Sequence, residues 1–177
     1  MPSHAMPAPS EARIPVFSTR IAALRDEAAK LVRARPVPAH TGRELLCLLH
    51  RAEQLSARRY ALLLAGLEAA PNQRLHDTLT NREAMERRHA ASLAQRIAEL
   101  GGEPPAPPDL PPGEVTQTLP VVVSSLLAKR GMVKLYRAAI RFLCQRDKES
   151  TALLRQLLAE EEAHIADMRA LLLPTIR

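Results

Sequence analysis

Four long segments of the sequence, about 42–69, 71–100, 119–146 and 149–173, repeat apolar residues at steps of three and four. This spacing places the apolar side chains on one face of an α-helix, and alternating strand patterns are absent. An aromatic content of only 2% leaves leucine, alanine and valine to fill a core, which favours helix packed on helix. The sequence therefore predicts an all-α fold.

A proline-rich stretch divides the four segments into two pairs. Gly101 and Gly102 end the second segment, and "EPPAPPDLPPGEVTQTLP", residues 103–120, follows. Prolines at this density favour an extended connector over a helix or a central strand. Two helical hairpins joined by one long connection indicate a four-helix bundle with a crossover between its second and third helices.

The start of the chain is predicted to be separate from this bundle. Residues 1–38 are expected to form a proline-rich arm and a short amphipathic helix at 16–34, and residues 39–177 are expected to form the bundle. Thr41 and Glu44 have the spacing of a capping box at the start of the first bundle helix.

Composition and charge narrow the range of partners and locations. The net charge of +6 raises the question of nucleic acid, but the basic residues are interspersed with acids and few aromatic residues are available to stack on bases. Nucleic acid is therefore disfavoured as a partner. Cys47 and Cys144 lack a CxxC spacing and fit a reducing cytoplasm. Since no signal peptide or membrane-spanning run is visible, we expect a soluble, cytoplasmic protein without a membrane partner.

Each apolar stripe is interrupted by ionisable residues near its middle. The residues concerned are Glu53, Glu86, His89, Lys129, Glu161 and His164. The second and fourth helices each contain a Glu-x-x-His motif, whose two side chains lie on one helix face. Six ionisable groups are thus predicted to meet at the middle of the bundle.

The two helical hairpins share one register. Glu86 follows Glu53 by 33 residues, and Glu161 follows Lys129 by 32 residues. A tyrosine stands seven residues after the first member of each pair. The two hairpins therefore look like two copies of one unit, in which Lys129 occupies the position equivalent to Glu53.

Buried carboxylates are very costly without a partner, so a cation is expected among them. A buried hydrogen-bond network of Glu, His and Tyr side chains without a metal remains an alternative. Taken singly, Tyr60 and Tyr136 are expected to be packing residues of the core. Glu160 and Glu162 flank the stripe of the last helix and are expected to be solvated.

This pattern resembles the ferritin-like superfamily, especially bacterioferritins and rubrerythrins, over about residues 41–173. Their first and third helices each carry a Glu, and their second and fourth helices each carry Glu-x-x-His. Five of the six ligand positions are matched, by Glu53, Glu86, His89, Glu161 and His164. The spacing of Tyr60 from Glu53 also resembles bacterioferritin, in which this tyrosine bonds to a ligand carboxylate. The resemblance implies a carboxylate-bridged di-iron centre with ferroxidase, peroxidase or oxygenase chemistry.

Three departures from the family pattern change these expectations. Lys129 stands where the third-helix Glu belongs. Arg87 and Arg88 follow Glu86, so the methionine that holds haem in bacterioferritin is missing and no haem is expected. The short fifth helix that helps to close ferritin cages is also missing. We therefore expect a small oligomer, most simply a homodimer that pairs through the first two bundle helices.

The lysine suggests a different charge balance at the centre. One divalent ion and one ammonium group together balance three carboxylates. We expect one well-formed metal position, made by Glu53, Glu86, His89 and Glu161. His164 is expected to complete a weaker second position or to hydrogen-bond to the first. Lys129 and Tyr60 are expected to support the ligands from outside. A carboxylated Lys129 is a further way to restore the sixth ligand. The sequence assigns no catalytic residue.

The predicted function is that of a ferritin-like metal-binding protein, with iron favoured and manganese or zinc as alternatives. Oxidoreductase activity of the ferroxidase or oxygen- or peroxide-activating kind is a second expectation. The alternative is a non-catalytic structural or binding protein with a degenerate metal site. A basic nucleic-acid-binding protein is the third choice.

Overall fold

The computed structural model describes residues 16–34, 36, 38–66, 73–108 and 118–172. Within these ranges the chain forms five α-helices and no β-strand, which confirms the predicted all-α class. The helices are α1 (Val16–Arg33), α2 (Thr41–Ala65), α3 (Gln73–Glu99), α4 (Thr118–Leu143) and α5 (Lys148–Leu172). The predicted N-terminal arm and the second half of the crossover lie outside the described residues.

The ends of α2 differ from the prediction. Thr41 is the first helical residue and His40 is the N-cap, without a side-chain hydrogen bond, so the predicted capping box is wrong. The hydroxyl group of Thr41 is instead buried, and the backbone carbonyl of His40 accepts the N–H of Glu44. The helix ends at Ala65, before the predicted residue 69. The predicted start of the next helix at Pro71 lies outside the described residues.

The glycine pair ends α3 as predicted. Gly101 has φ +69°, a left-handed conformation that glycine adopts without the steric penalty of a Cβ atom. The N–H of Gly102 donates to the carbonyl of Ile97, and that of Gly101 donates to Ala98. These bonds satisfy carbonyl groups that would otherwise be orphaned at the end of the helix.

The bundle helices associate as the two predicted hairpins, α2 with α3 and α4 with α5. Their apolar stripes form a core of leucine, alanine, isoleucine and methionine side chains. Arg96 links α3 to the start of α5, because it donates to Asp147, Glu149 and Ser150. Asp147 also accepts the N–H of Ser150 and so caps α5.

The short helix α1 lies against α4 and α2. Its buried residues Phe17, Ile21, Leu24 and Ala28 recur at helical spacing and join the same hydrophobic core as the bundle. A Cβ atom at Gly131 of α4 would lie 2.8 Å from Ile21, so glycine permits the close approach of the two helices. The boundary at residue 38, between the N-terminal region and the bundle, stays a prediction.

None of the described helices is both long and apolar enough to cross a membrane. Cys47 is half-buried and Cys144 is exposed, and both thiols are free within the described part of the chain.

Candidate metal centre

The six ionisable residues of the stripes lie buried at the middle of the bundle. Their exposed fractions are 0% for Glu53, Glu86 and Glu161, and 1% for His89, Lys129 and His164. They come from four helices: Glu53 from α2, the first Glu-x-x-His from α3, Lys129 from α4 and the second Glu-x-x-His from α5. Since charged groups are rarely buried without partners, their contacts decide what the centre can hold.

Four of these residues form a compact cluster. Glu53, Glu86, His89 and Glu161 each offer one ligand atom, and these atoms all lie within 4.8 Å of one another. Nδ1 of His89 faces the cluster, at 3.6 Å from Oε1 of Glu53 and 3.5 Å from Oε1 of Glu161. These distances are too long for good hydrogen bonds, so the ring nitrogen is close to the carboxylates without being satisfied by them.

Lys129 lies beside this cluster rather than in solvent. Its Nζ donates to Oε1 of Glu86 at 2.5 Å and to Oε1 of Glu161 at 2.7 Å. Burial alone would lower the pKa of Lys129, but the charges of Glu161 and Glu86 outweigh it and raise that pKa above its usual value. The lysine is therefore an ammonium cation that joins the two carboxylates.

The second oxygens of the carboxylates have no such partner. The buried atoms without a hydrogen-bond partner among the described residues include Oε2 of Glu53, Glu86 and Glu161, and Nδ1 of His89 and His164. Buried polar atoms are normally paired, so several orphans at one place call for a bound group. Three carboxylate oxygens and an imidazole nitrogen are ligands that iron, manganese and zinc accept. The residues present fit a divalent metal ion.

His164 lies at the edge of the cluster. Its Nδ1 is 3.9 Å from Oε1 of Glu86, and its Nε2 is 3.3 Å from the hydroxyl group of Tyr60. It is not among the four residues whose ligand atoms converge. Burial and the nearby charge of Lys129 lower the pKa of His164 to about 3, so its ring is neutral at neutral pH. Its role as a ligand stays a prediction.

Both tyrosines are buried in the core, as expected of packing residues, and both also make hydrogen bonds at the centre. Tyr136 donates its hydroxyl proton to Oε1 of Glu53, and burial raises the pKa of Tyr136, which keeps that proton in place. Tyr60, which the resemblance placed on a carboxylate, lies against His164 instead. The reason is chemical: by the repeat, Tyr60 would donate to the position of Lys129, and an ammonium group has no lone pair to accept.

Glu160 is the site residue that the sequence pattern missed. Its Oε2 lies 3.1 Å from Nε2 of His89, and the hydrogen bond lowers the pKa of Glu160. Its side chain is 35% exposed, so the expectation of a merely solvated residue is wrong. Glu162, by contrast, is exposed and pairs with Arg137, as expected of a surface residue. Glu160 holds the outer nitrogen of His89 and thereby directs Nδ1 inward.

The protons of the cluster follow from burial and charge. Burial alone would lower the pKa of His89, but Glu161 and Glu53 outweigh it and raise that pKa to about 10. Burial raises the pKa of Glu86 well above its usual value, although Lys129 opposes this. For Glu161 the Lys129 ammonium outweighs burial and lowers the pKa to about 2. In the metal-free protein His89 therefore holds a proton that a metal would have to displace.

Known proteins share this fold. The structure of a bacterioferritin from Desulfovibrio desulfuricans, described with a diiron site in different catalytic states, matches with a TM-score of 0.66. The sequence identity is 22%, and the match covers 84% of this chain and 81% of that chain. A comparison with curated protein sequences gave no match. The family model of the ferritin-like domain matches residues 53–175, which is more than half of the chain. The chain belongs to the ferritin-like domain family.

Proposed function

We propose that this protein binds one divalent metal ion, with iron favoured, through Glu53, Glu86, His89 and Glu161. The main support is that the two oxygens of each carboxylate beside Lys129 differ in their hydrogen bonding. Oε1 of Glu86 and Oε1 of Glu161 accept from Lys129, whereas their Oε2 atoms are buried without a partner. Each of these carboxylates can thus bridge the ammonium group and a metal ion.

Lys129 takes the place of a second cation in this proposal. Two divalent ions need four carboxylates for neutrality, but among the described residues only Glu53, Glu86 and Glu161 place fully buried carboxylates at the centre. One divalent ion and the ammonium group supply three positive charges, which balance the three carboxylates of Glu53, Glu86 and Glu161. A neutral centre matters here because an uncompensated charge is very costly in a buried site.

Other residues of the chain would prepare the ligands. Tyr136 holds Glu53, Glu160 holds His89, and Lys129 holds both Glu86 and Glu161. A bound iron ion would supply redox chemistry toward dioxygen or peroxide. Iron is favoured over manganese and zinc because the similar bacterioferritin is described with a diiron site. We also propose oxidoreductase activity of the ferroxidase or oxygen- or peroxide-activating kind. Because Lys129 takes the place of a second metal ion, the site favours metal binding over two-electron turnover.

A non-catalytic role is the second candidate. Lys129 already satisfies one oxygen of Glu86 and one of Glu161 without any metal. In this alternative the centre is a structural network of charged side chains.

The two candidates differ in metal content. Loading the metal-free protein with iron(II), followed by dialysis and elemental analysis, is expected to give about one tightly bound ion per chain. Glu53→Gln is expected to lose this ion because it removes a ligand charge, whereas Glu162→Gln, a matched change on the surface, is expected to keep it. Two tight ions beside an unmodified lysine would overturn the role of Lys129 as a substitute cation. A protein without metal after loading would leave the structural network as the function.

We also propose a homodimer that pairs through α2 and α3, since two-fold dimers are the commonest soluble homo-oligomers. Light scattering of the full chain is expected to give twice the mass of one chain. A particle of the size of a ferritin cage would contradict the proposed assembly.

A further inference from the structure

A pocket separate from the metal centre lies between α2 and α3, and none of the four proposed metal ligands lines it. Its volume is about 400 Å³, within the range of sites for small ligands. His50, Gln54 and Arg58 of α2 line it, with Arg87 of α3 opposite. Pro107 of the extended connector also lines it.

Two polar side chains in this pocket have buried atoms that lack a partner. His50 is only 4% exposed, and its Nδ1 has no hydrogen-bond partner within the described residues. The same holds for Oε1 of Gln54. Burial lowers the pKa of His50, although the charge of Glu53 opposes this, so the ring is neutral at neutral pH. An imidazole and an amide, both uncharged, thus offer unused hydrogen-bonding capacity.

The charge of the pocket is positive. Arg58 and Arg87 are exposed and come from facing helices, and none of the described lining residues is acidic. Arg87 pairs with Glu83 through Nε, but a guanidinium group has further donors in a planar fork. Such forks match the oxygens of carboxylate and phosphate groups. The remaining wall is apolar and shallow, formed by Ala57, Ala90, Ala91 and Ala94.

We propose that this pocket binds a small organic anion. Its carboxylate or phosphate group lies between Arg58 and Arg87, and its short carbon body lies on the alanines. A hydroxyl group on that body donates to Oε1 of Gln54 and accepts from Nδ1–H of His50, because a hydroxyl group has one proton to donate and lone pairs to accept.

The test is a calorimetric and NMR titration of the full, metal-free chain with three probes. Glycerol phosphate and malate each combine an anionic group with hydroxyl groups, and they distinguish a phosphate from a carboxylate ligand. Sulfate is an anion without such hydroxyl groups. At least one of the two hydroxylated probes is expected to bind about tenfold more tightly than sulfate. A protein that attracts anions only through its positive net charge would bind all three equally.

Matched variants locate the site. Arg58→Gln is expected to weaken binding about tenfold, because a charge-assisted contact is lost. Arg51→Gln removes the same charge from an exposed position of the same helix outside the pocket, and it is expected to change binding less than twofold. His50→Leu is expected to remove the preference for the hydroxylated probe over sulfate. It should leave the melting temperature unchanged or higher, since it removes an unpaired buried polar atom. Gln54→Leu tests the same preference if His50→Leu does not fold.

Two outcomes overturn the proposal. Equal effects of the Arg51 and Arg58 substitutions would reduce the binding to surface charge. Absence of binding by every probe would mean that the pocket holds no small anion, also where the proposed pairing through α2 and α3 covers this face.

Discussion

Replacing Lys129 with glutamate is expected to raise the metal content from about one divalent ion per chain to about two. The variant removes the ammonium group that holds Glu86 and Glu161 and places a fourth carboxylate at the same position on α4. Four carboxylates balance two divalent ions, and the freed oxygens become available as ligands. His164, whose Nδ1 is buried without a partner among the described residues, would complete the second position. Iron(II) oxidation by the variant is expected to exceed that of the parent protein.

The same substitution is expected to destabilise the metal-free protein. Removing one member of a buried charge pair leaves the other charges uncompensated, which costs about 3–5 kcal/mol. Iron(II) should then restore the stability, because a ligand that binds only the folded state stabilises it by mass action. Melting temperature followed against iron(II) concentration therefore measures both effects in one experiment. The curve of the variant should start lower than that of the parent protein and rise more steeply.

Two controls separate charge from ligation. Lys129→Met removes the ammonium group without adding a ligand, so the metal-free protein should again be less stable while the metal content stays near one. Lys134→Glu makes the same charge change at an exposed position of α4, and it should change neither quantity. If the melting curves of Lys129→Glu and the parent protein superimpose, the contacts of Nζ with Glu86 and Glu161 do not exist in solution.

The fold could be predicted largely from local signals. Apolar residues at helical steps, the Gly101–Gly102 stop and the proline-rich connector predict the helices and their grouping into hairpins. The boundary of α2 was less predictable, since the sequence spacing of Thr41 and Glu44 does not determine where the backbone enters the helix. The packing of α1 onto the bundle core also depends on a close helix approach at Gly131, which no periodicity reveals.

At the candidate site, the register of the two hairpins predicts some contacts and leaves others undetermined. The nearly equal spacing of the two hairpins, 33 and 32 residues, predicts that Lys129 stands at the level of Glu53, and this register places its ammonium group beside the carboxylates. In the same repeat Tyr136 occupies the position equivalent to Tyr60. This equivalence could have indicated that Tyr136 belongs to the centre. Glu160 could not be distinguished from Glu162 by pattern, because both flank the stripe. Only the relative placement of α3 and α5 brings one of them to His89.

Metal affinity is expected to rise steeply with pH. In the metal-free protein His89 is protonated up to its pKa of about 10, and the pKa of Glu86 is also raised. Metal binding must displace the proton of His89 and any proton on Glu86, so affinity is lost as pH falls and gained as pH rises. The association constant should increase about tenfold per pH unit where one proton is displaced and about a hundredfold where two are displaced. Calorimetric titrations in buffers of different ionisation enthalpy count the protons directly, and an affinity that does not change with pH would contradict the proposed ligand set.

The matched pair Glu160→Gln and Glu162→Gln tests the source of this proton coupling. Glu160 accepts from Nε2 of His89 and is one of the carboxylates that raise the pKa of that ring. Its replacement by the neutral amide should lower the pKa of His89, which moves the steep part of the pH profile to lower pH. It should also weaken metal binding about 10–100-fold, because the ring loses the partner that fixes its orientation. Glu162 carries the same charge two residues later but pairs with Arg137 at the surface, so its replacement should leave both quantities unchanged. Equal behaviour of the two variants would mean that Glu160 acts only through the overall charge of the chain.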